Sequence, residues 1–155
     1  SRPWLVREIR DNTGRTVVPY EPMPRRRVIS RETADIMARL LVEAASAEGT
    51  GKAAAIEGYQ VAGKTGTTQK IIDGRYSTSH HIGSFVGFFP ANRPQVQITV
   101  VVNDGRLLTG GLAYGGTVAA PSFKRIGEQL IPYLGIRPAG APAPRAAIAL
   151  TANVR

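Results

Sequence analysis

Val61-Ala62-Gly63-Lys64-Thr65-Gly66-Thr67 sits inside a stretch, Gly58 to Gln69, that can be read as either of two incompatible structures. Gly58-Tyr-Gln-Val-Ala-Gly63-Lys64-Thr65 matches the phosphate-binding P-loop pattern letter for letter, and Ile98 to Asp104 loosely resembles the acidic strand that follows such a loop. A P-loop must leave a buried strand and run directly into a helix, because helix-terminal N–H groups hold the phosphate. Neither flank complies. Gly51 to Glu57 is poor in strand formers, and Gly66-Thr-Thr-Gln-Lys offers no apolar helical face. The interior of the motif, Tyr59 to Ala62, is itself strand-like, so the stretch reads as a β-strand from Tyr59 to Thr67.

Outward from that strand, Gly74 lies where a hairpin can turn between Lys70 and Tyr76. Ile82–Phe89 and Gln95–Val102 read as two further strands, joined by Pro90-Ala-Asn-Arg-Pro94, and the three most simply form an antiparallel meander. Ala119, Ala120, Phe123, Ile126, Leu130 and Ile131 outline a closing helix, with Pro121 tolerated in its first turn. Toward the N-terminus, Ser30 suits a helix cap, and Ile36, Met37, Leu40, Leu41, Ala44 and Ala45 recur at helical spacing, the helix ending before Gly49. Trp4–Ile9 and Thr16–Val18 read as strands of a short hairpin around Asp11-Asn-Thr-Gly14. The fold class is α+β, a three-stranded antiparallel meander plus an N-terminal hairpin, packed with helices. Residues 1–137 read as part of one domain, and residues 138–155, with seven Ala and three Pro, as a flexible tail.

A chain of 155 residues with 43% hydrophobic content can bury one ordinary core, which excludes a wholly disordered protein. The net charge of +9 is unevenly spread: residues 1–31 carry +5, residues 138–155 carry +2, and the long middle only +2. Phosphate binding needs a continuous basic stripe, so nucleic acid is excluded as a partner. Arg25-Arg26-Arg27 reads as a solvated loop, with anionic lipid headgroups or wall polymers as the alternative. With no Cys, thiolate metal sites, disulfides and cysteine nucleophiles are all excluded. His80-His81 has no partner at metal-ligand spacing and reads as a pair in a loop or at the start of a strand, so no metal or cofactor is expected. Trp4 and Phe123 are expected in the core.

Period-2 alternation places Thr65 and Thr67 on one side of their strand and Lys64 on the other, with Gly66 leaving the backbone open between them. Two hydroxyls can then meet one carboxylate, and Lys64 adds a positive charge nearby. Lys64-Thr65-Gly66-Thr67 is also the K-T-G element of serine β-lactamases and penicillin-binding proteins. Around it stand Gly49-Thr50-Gly51-Lys52, Ser84-Phe-Val-Gly-Phe-Phe-Pro-Ala91 and Tyr114-Gly115-Gly116-Thr-Val-Ala-Ala-Pro-Ser-Phe123. In this order they resemble the C-terminal part of the transpeptidase domain of a class B penicillin-binding protein, over residues 3–136.

The resemblance implies an enzyme that crosslinks peptidoglycan stem peptides through a Ser ester and is acylated by β-lactams. It assigns the Thr65 and Thr67 hydroxyls to the terminal carboxylate of D-Ala-D-Ala or of a β-lactam. The Thr67 N–H becomes half of the oxyanion hole, Lys64 a catalytic cation, and Gly66 part of the substrate-binding strand. The nucleophile belongs to an S-x-x-K element, yet Ser1, Ser30, Ser46, Ser77, Ser79, Ser84 and Ser122 are followed three places on by Trp, Thr, Gly, His, Ile, Gly and Arg. No Ser is followed two places on by Asn, so the S-x-N element is missing too. Both are expected upstream of Ser1, in the same protein or as a companion chain that also covers the exposed sheet edge. This chain alone is expected to be inactive. The resemblance further implies the outer face of the bacterial inner membrane and membrane proteins of cell-wall synthesis as partners. A non-catalytic penicillin-recognising module and a nucleotide-binding protein are the competing readings.

Overall fold

A computed structural model of the chain describes residues 5–21, 23–108, 110–111 and 113–138; Trp4 and the tail beyond Pro138 lie outside the described residues. The chain divides into two compact units between Ile36 and Met37.

In the first unit β1 (Glu8–Arg10) pairs antiparallel with β2 (Thr16–Pro19). The Asp11 carboxylate closes the turn, accepting the Thr13 N–H at 2.9 Å and the Arg15 N–H at 3.0 Å. Gly14 supplies the left-handed backbone, φ +83°, that the turn requires. Residues 5–7 are not in the strand that the sequence reading extended across Trp4–Ile9. Pro19 is the last residue of the returning strand, and one further backbone bond, from the Tyr20 N–H to the Arg7 carbonyl at 2.9 Å, follows it.

Helix α1 (Arg31–Ala44) starts where the cap was expected: the Ser30 hydroxyl accepts the Thr33 N–H at 3.0 Å. Its apolar positions recur as read, but Ile36, Met37 and Leu40 remain 44–58% exposed.

The second unit is built on β3 (Ala62–Ile72), β4 (Arg75–Phe89) and β5 (Val96–Asn103), an antiparallel sheet in the order β3-β4-β5, the meander expected from sequence. The boundaries differ, by one residue at each end of β5 and by more in β3 and β4. β3 starts at Ala62 and continues past Thr67, and β4 begins at Arg75, seven residues earlier than Ile82. Asp73 and Gly74, with φ +51° and +75°, make a two-residue turn whose twist matches the strands, so pairing starts directly beside it at Ile72↔Arg75. His80 and His81 accordingly lie within β4 rather than in a loop or at a strand's start.

One face of the sheet is covered by a short helix α2 (Gly115–Val118) and by α3 (Ala120–Leu134). Phe85 and Phe89 of β4 meet Phe123 of α3 edge-to-face, with centroids 4.8 and 6.1 Å apart, and all three side chains are fully buried. Burying such a ring contributes about 1.5–3 kcal/mol. Ala45, Ala54, Ile56, Val61, Ala119, Ala120 and Ile136 are buried with them. Pro121 lies in the first turn of α3 as expected, and Gly135, φ +63°, ends the helix in the left-handed conformation. The opposite face, where Lys64, Val86 and Thr99 are cross-strand neighbours, is open, with Val86 44% and Val101 61% exposed.

Candidate active site

β3 is an edge strand of the described sheet, so alternate backbone N–H groups along it have no ladder partner and are available to a ligand. Against this edge lies an open cleft of about 610 Å³. Thr65 and Thr67 form its floor. The segment from Thr50 through the 3₁₀ turn Lys52–Ala54 forms one wall, and Tyr114, Gly116, Thr117 and Pro121 the other.

Both predicted hydroxyls therefore reach one space, as alternation requires, and each is held by a residue remote in sequence. The Gly115 N–H donates to Thr67 Oγ1 at 3.0 Å. With one lone pair occupied by that donor, the Thr67 hydroxyl proton is free to point into the cleft. Thr65 Oγ1 lies 3.0 Å from Thr50 Oγ1. Lys64 leaves the strand on the opposite side, but its long stem curls back: Nζ donates to the Thr65 carbonyl at 3.1 Å and lies 3.4 Å from Thr65 Oγ1. Gly66 keeps the strand thin, because a Cβ there would lie 2.6 Å from Ser84 Oγ.

Among the described residues no carboxylate lines the cleft; its polar lining residues are Thr50, Thr65, Thr67, Thr117, Tyr114 and Lys52, with Lys64 at its margin. Such an arrangement is suited to an anion, since hydroxyl donors supply hydrogen bonds and the lysines supply charge. The P-loop reading is overturned: Lys64 to Ile72 continues as strand, leaving no helix N-terminus to hold a phosphate.

Thr50 was not identified as a site residue from sequence, and Tyr114-Gly115-Gly116 read as a helix entry, a role facing the cleft following only from the resemblance. Gly49-Thr50-Gly51 and Tyr114-Gly115-Gly116 stand out as short Gly-flanked elements, but nothing local says that they meet β3. Thr50→Val keeps the side-chain shape and removes the bond to Thr65. A neutral hydrogen bond contributes about 0.5–1.5 kcal/mol, so a carboxylate anion held by the Thr65 hydroxyl should bind roughly 2- to 10-fold more weakly. Titration of this chain with a small carboxylate anion checks this, and an unchanged affinity would remove Thr50 from the site.

A match to the penicillin binding protein transpeptidase domain covers residues 1–128. Stage V sporulation protein D of Bacillus subtilis is 42% identical over 137 residues, covering 88% of this chain and 21% of that protein. PenA of Neisseria flavescens, named a probable peptidoglycan D,D-transpeptidase, is 40% identical over 113 residues, 73% of this chain and 28% of that one. Among solved structures, penicillin-binding protein 3 of Mycobacterium tuberculosis complexed with ampicillin superposes with a TM-score of 0.71 at 28% identity, covering 90% of this chain and 32% of that one. The chain thus spans between a fifth and a third of the length of these proteins. Among the described residues no helix is long and apolar enough to cross a membrane. On these matches the chain belongs to the transpeptidase domain family of class B penicillin-binding proteins.

Proposed function

We propose that this chain supplies the K-T-G wall of the donor site in a serine peptidoglycan D,D-transpeptidase, as the C-terminal part of that enzyme's transpeptidase domain. The observation that carries it is the acid-free cleft in which the Thr65 and Thr67 hydroxyls converge, each held at 3.0 Å by a second element. Their ligand is the terminal carboxylate of a D-Ala-D-Ala stem peptide, or the equivalent carboxylate of a β-lactam. Lys64, beside Thr65, adds the positive charge that holds this anion and favours deprotonated oxygen nearby.

In the reaction a Ser hydroxyl, from an S-x-x-K element upstream, attacks the carbonyl carbon of the penultimate residue. The Ser proton passes to the Lys of that element and then to the leaving nitrogen as the C–N bond breaks. The acyl group stays on Ser as an ester until an acceptor amine displaces it. The Thr67 N–H, on the free edge of β3, stabilises the oxyanion formed on the way; one such donor is worth about 10²–10³ in rate. Gly66 lets the ligand backbone lie against the strand. The same reading places the protein at the outer face of the inner membrane, among the membrane proteins of cell-wall synthesis.

Fluorescent penicillin tests it. The full-length protein is labelled covalently at an upstream Ser, and the isolated chain takes up nothing. A hydrogen bond to a charged group contributes about 1.5–3 kcal/mol, so Thr65→Val or Thr67→Val in the full-length protein slows acylation roughly 10- to 150-fold. Labelling of a Ser within residues 1–155, or wild-type acylation in both variants, would sink this assignment.

A further inference from the structure

Lys52 begins the 3₁₀ turn that forms one wall of the cleft, and the backbone on both sides of it is fixed. The Gly51 N–H donates to the Ala44 carbonyl at 3.0 Å, and a Cβ on Gly51 would already lie 3.0 Å from the Phe85 ring. Ala54 is fully buried, its N–H donating to the Gly51 carbonyl at 2.8 Å, and the turn packs against α3. Lys52 itself is exposed. A long flexible stem thus leaves a fixed base, which keeps its ammonium within reach of the cleft.

Of the residues lining the cleft, Lys52 alone carries a formal charge. Among the described residues it enters no ion pair. Lys64 differs, because its Nζ already donates to the Thr65 carbonyl. The hydroxyls around Lys52 are committed as well: Thr50 Oγ1 is bonded to Thr65 Oγ1, and Thr117 donates its proton to the Tyr114 carbonyl at 2.9 Å. Beyond the floor of the cleft, the charge offered to a ligand is therefore that of Lys52, with three N–H donors still to be used.

The reading of Thr65 and Thr67 under Proposed function, on which this inference rests, puts the donor's terminal carboxylate on their hydroxyls. The residue that bears this carboxylate is the one expelled on acylation. Thr65 is tied at 3.0 Å to Thr50, two residues before Lys52, whereas the carbonyl under attack lies farther along β3, at the Thr67 N–H. The part of the donor nearest Lys52 is then the expelled residue. We propose that Lys52 is a specificity-determining residue that reads the charge of that residue: a side chain with a second carboxylate is favoured there, and one with an ammonium is disfavoured. The cleft is open and the ammonium solvated, so each charge changes the rate by roughly 1.5- to 5-fold, the scale of exposed ion pairs.

The test uses the full-length protein and N-benzoyl-D-alanyl thioesters whose thiol leaving groups bear a carboxylate beside the sulfur and differ in side chain: methyl, carboxymethyl or aminoethyl. The Ser oxygen takes the acyl group, the C–S bond breaks, and the thiol departs with the Ser proton to be read by a thiol-reactive dye. Discrimination is the ratio of kcat/KM values, expected to fall in the order carboxymethyl, methyl, aminoethyl with roughly 3- to 20-fold between the extremes. Lys52→Gln slows the methyl donor too, since Lys52 also attracts the terminal carboxylate, and brings the extremes within about 2-fold of each other. Lys52→Arg keeps the wild-type order, and Lys52→Glu reverses it. Raising the salt concentration narrows the wild-type spread. An equal loss for every donor in Lys52→Gln, or an unreversed order in Lys52→Glu, would overturn selection by Lys52. Thr65→Val and Thr67→Val report on the underlying reading separately: thiol release at the wild-type rate in both would mean that the carboxylate is not held there, and the placement of the expelled residue beside Lys52 would fall with it.

Discussion

Gly115→Ala in the full-length protein is expected to slow acylation by about 10²-fold, the scale of losing one preorganised donor. A Cβ on Gly115 would lie 2.3 Å from the Ser84 carbonyl oxygen and 2.4 Å from that of Gly66. Both are backbone atoms of paired strands and cannot rotate aside. Helix α2 must therefore lift, breaking the Gly115 N–H bond to Thr67 and drawing Gly116 away from Thr50, whose carbonyl a Cβ on Gly116 would meet at 2.7 Å. Overpacking of this kind costs about 1–3 kcal/mol, so a lower unfolding free energy should accompany the slower reaction. A Gly115→Ala protein with wild-type acylation kinetics and an unchanged denaturant midpoint would show that α2 does not control Thr67.

Phe85→Ala is expected to have the largest effect on stability, about 3–5 kcal/mol. Phe85 is fully buried, meets Phe123 at 4.8 Å, and is the cross-strand partner of Thr65. Its ring fills the space over two glycines: a Cβ would lie 2.5 Å from it at Gly63 and 2.7 Å at Gly87. Those positions cannot supply side chains to fill the void, so the cavity persists and most of the penalty is realised. Because the ring underlies the strand that carries Lys64 and Thr65, β-lactam acylation should fall with stability, while Phe85→Leu should lose less of both. Equilibrium urea unfolding measures the first and penicillin labelling the second. A loss below about 1 kcal/mol for Phe85→Ala would mean that this cluster is not the centre of the core.

How far the sequence could be read varied with the distance over which each feature is determined. The Ser30 cap, the turn at Gly74 and the closing helix with Pro121 in its first turn are local matters of hydroxyl reach, φ preference and periodicity, and each is present. The start of β4 was missed because Tyr76-Ser-Thr-Ser-His80 shows no apolar alternation; that segment is strand through its position beside the turn rather than through its own pattern. In α1 the periodicity was correct, yet Ile36, Met37 and Leu40 stay substantially exposed, since periodicity shows which face is apolar and not what covers it. Around the cleft, the shared side of Thr65 and Thr67 was legible from alternation, whereas their contacts with Thr50 and Gly115, 15 and 48 positions away, were not.

By itself, then, the sequence determined that the two threonines of this strand share a side, because side-chain direction along a strand follows from covalent geometry with a period of two. Tertiary structure alone decided what those hydroxyls face. The stacking of Phe85, Phe89 and Phe123 draws α3 onto the sheet, and α3 carries α2 with it until Gly115 rests against the Gly66 and Ser84 carbonyls. Only that packing closes Thr50, Thr67 and Tyr114 around one cleft, since hydrogen bonds of 3.0 Å between such distant residues exist only once the core has fixed their separation.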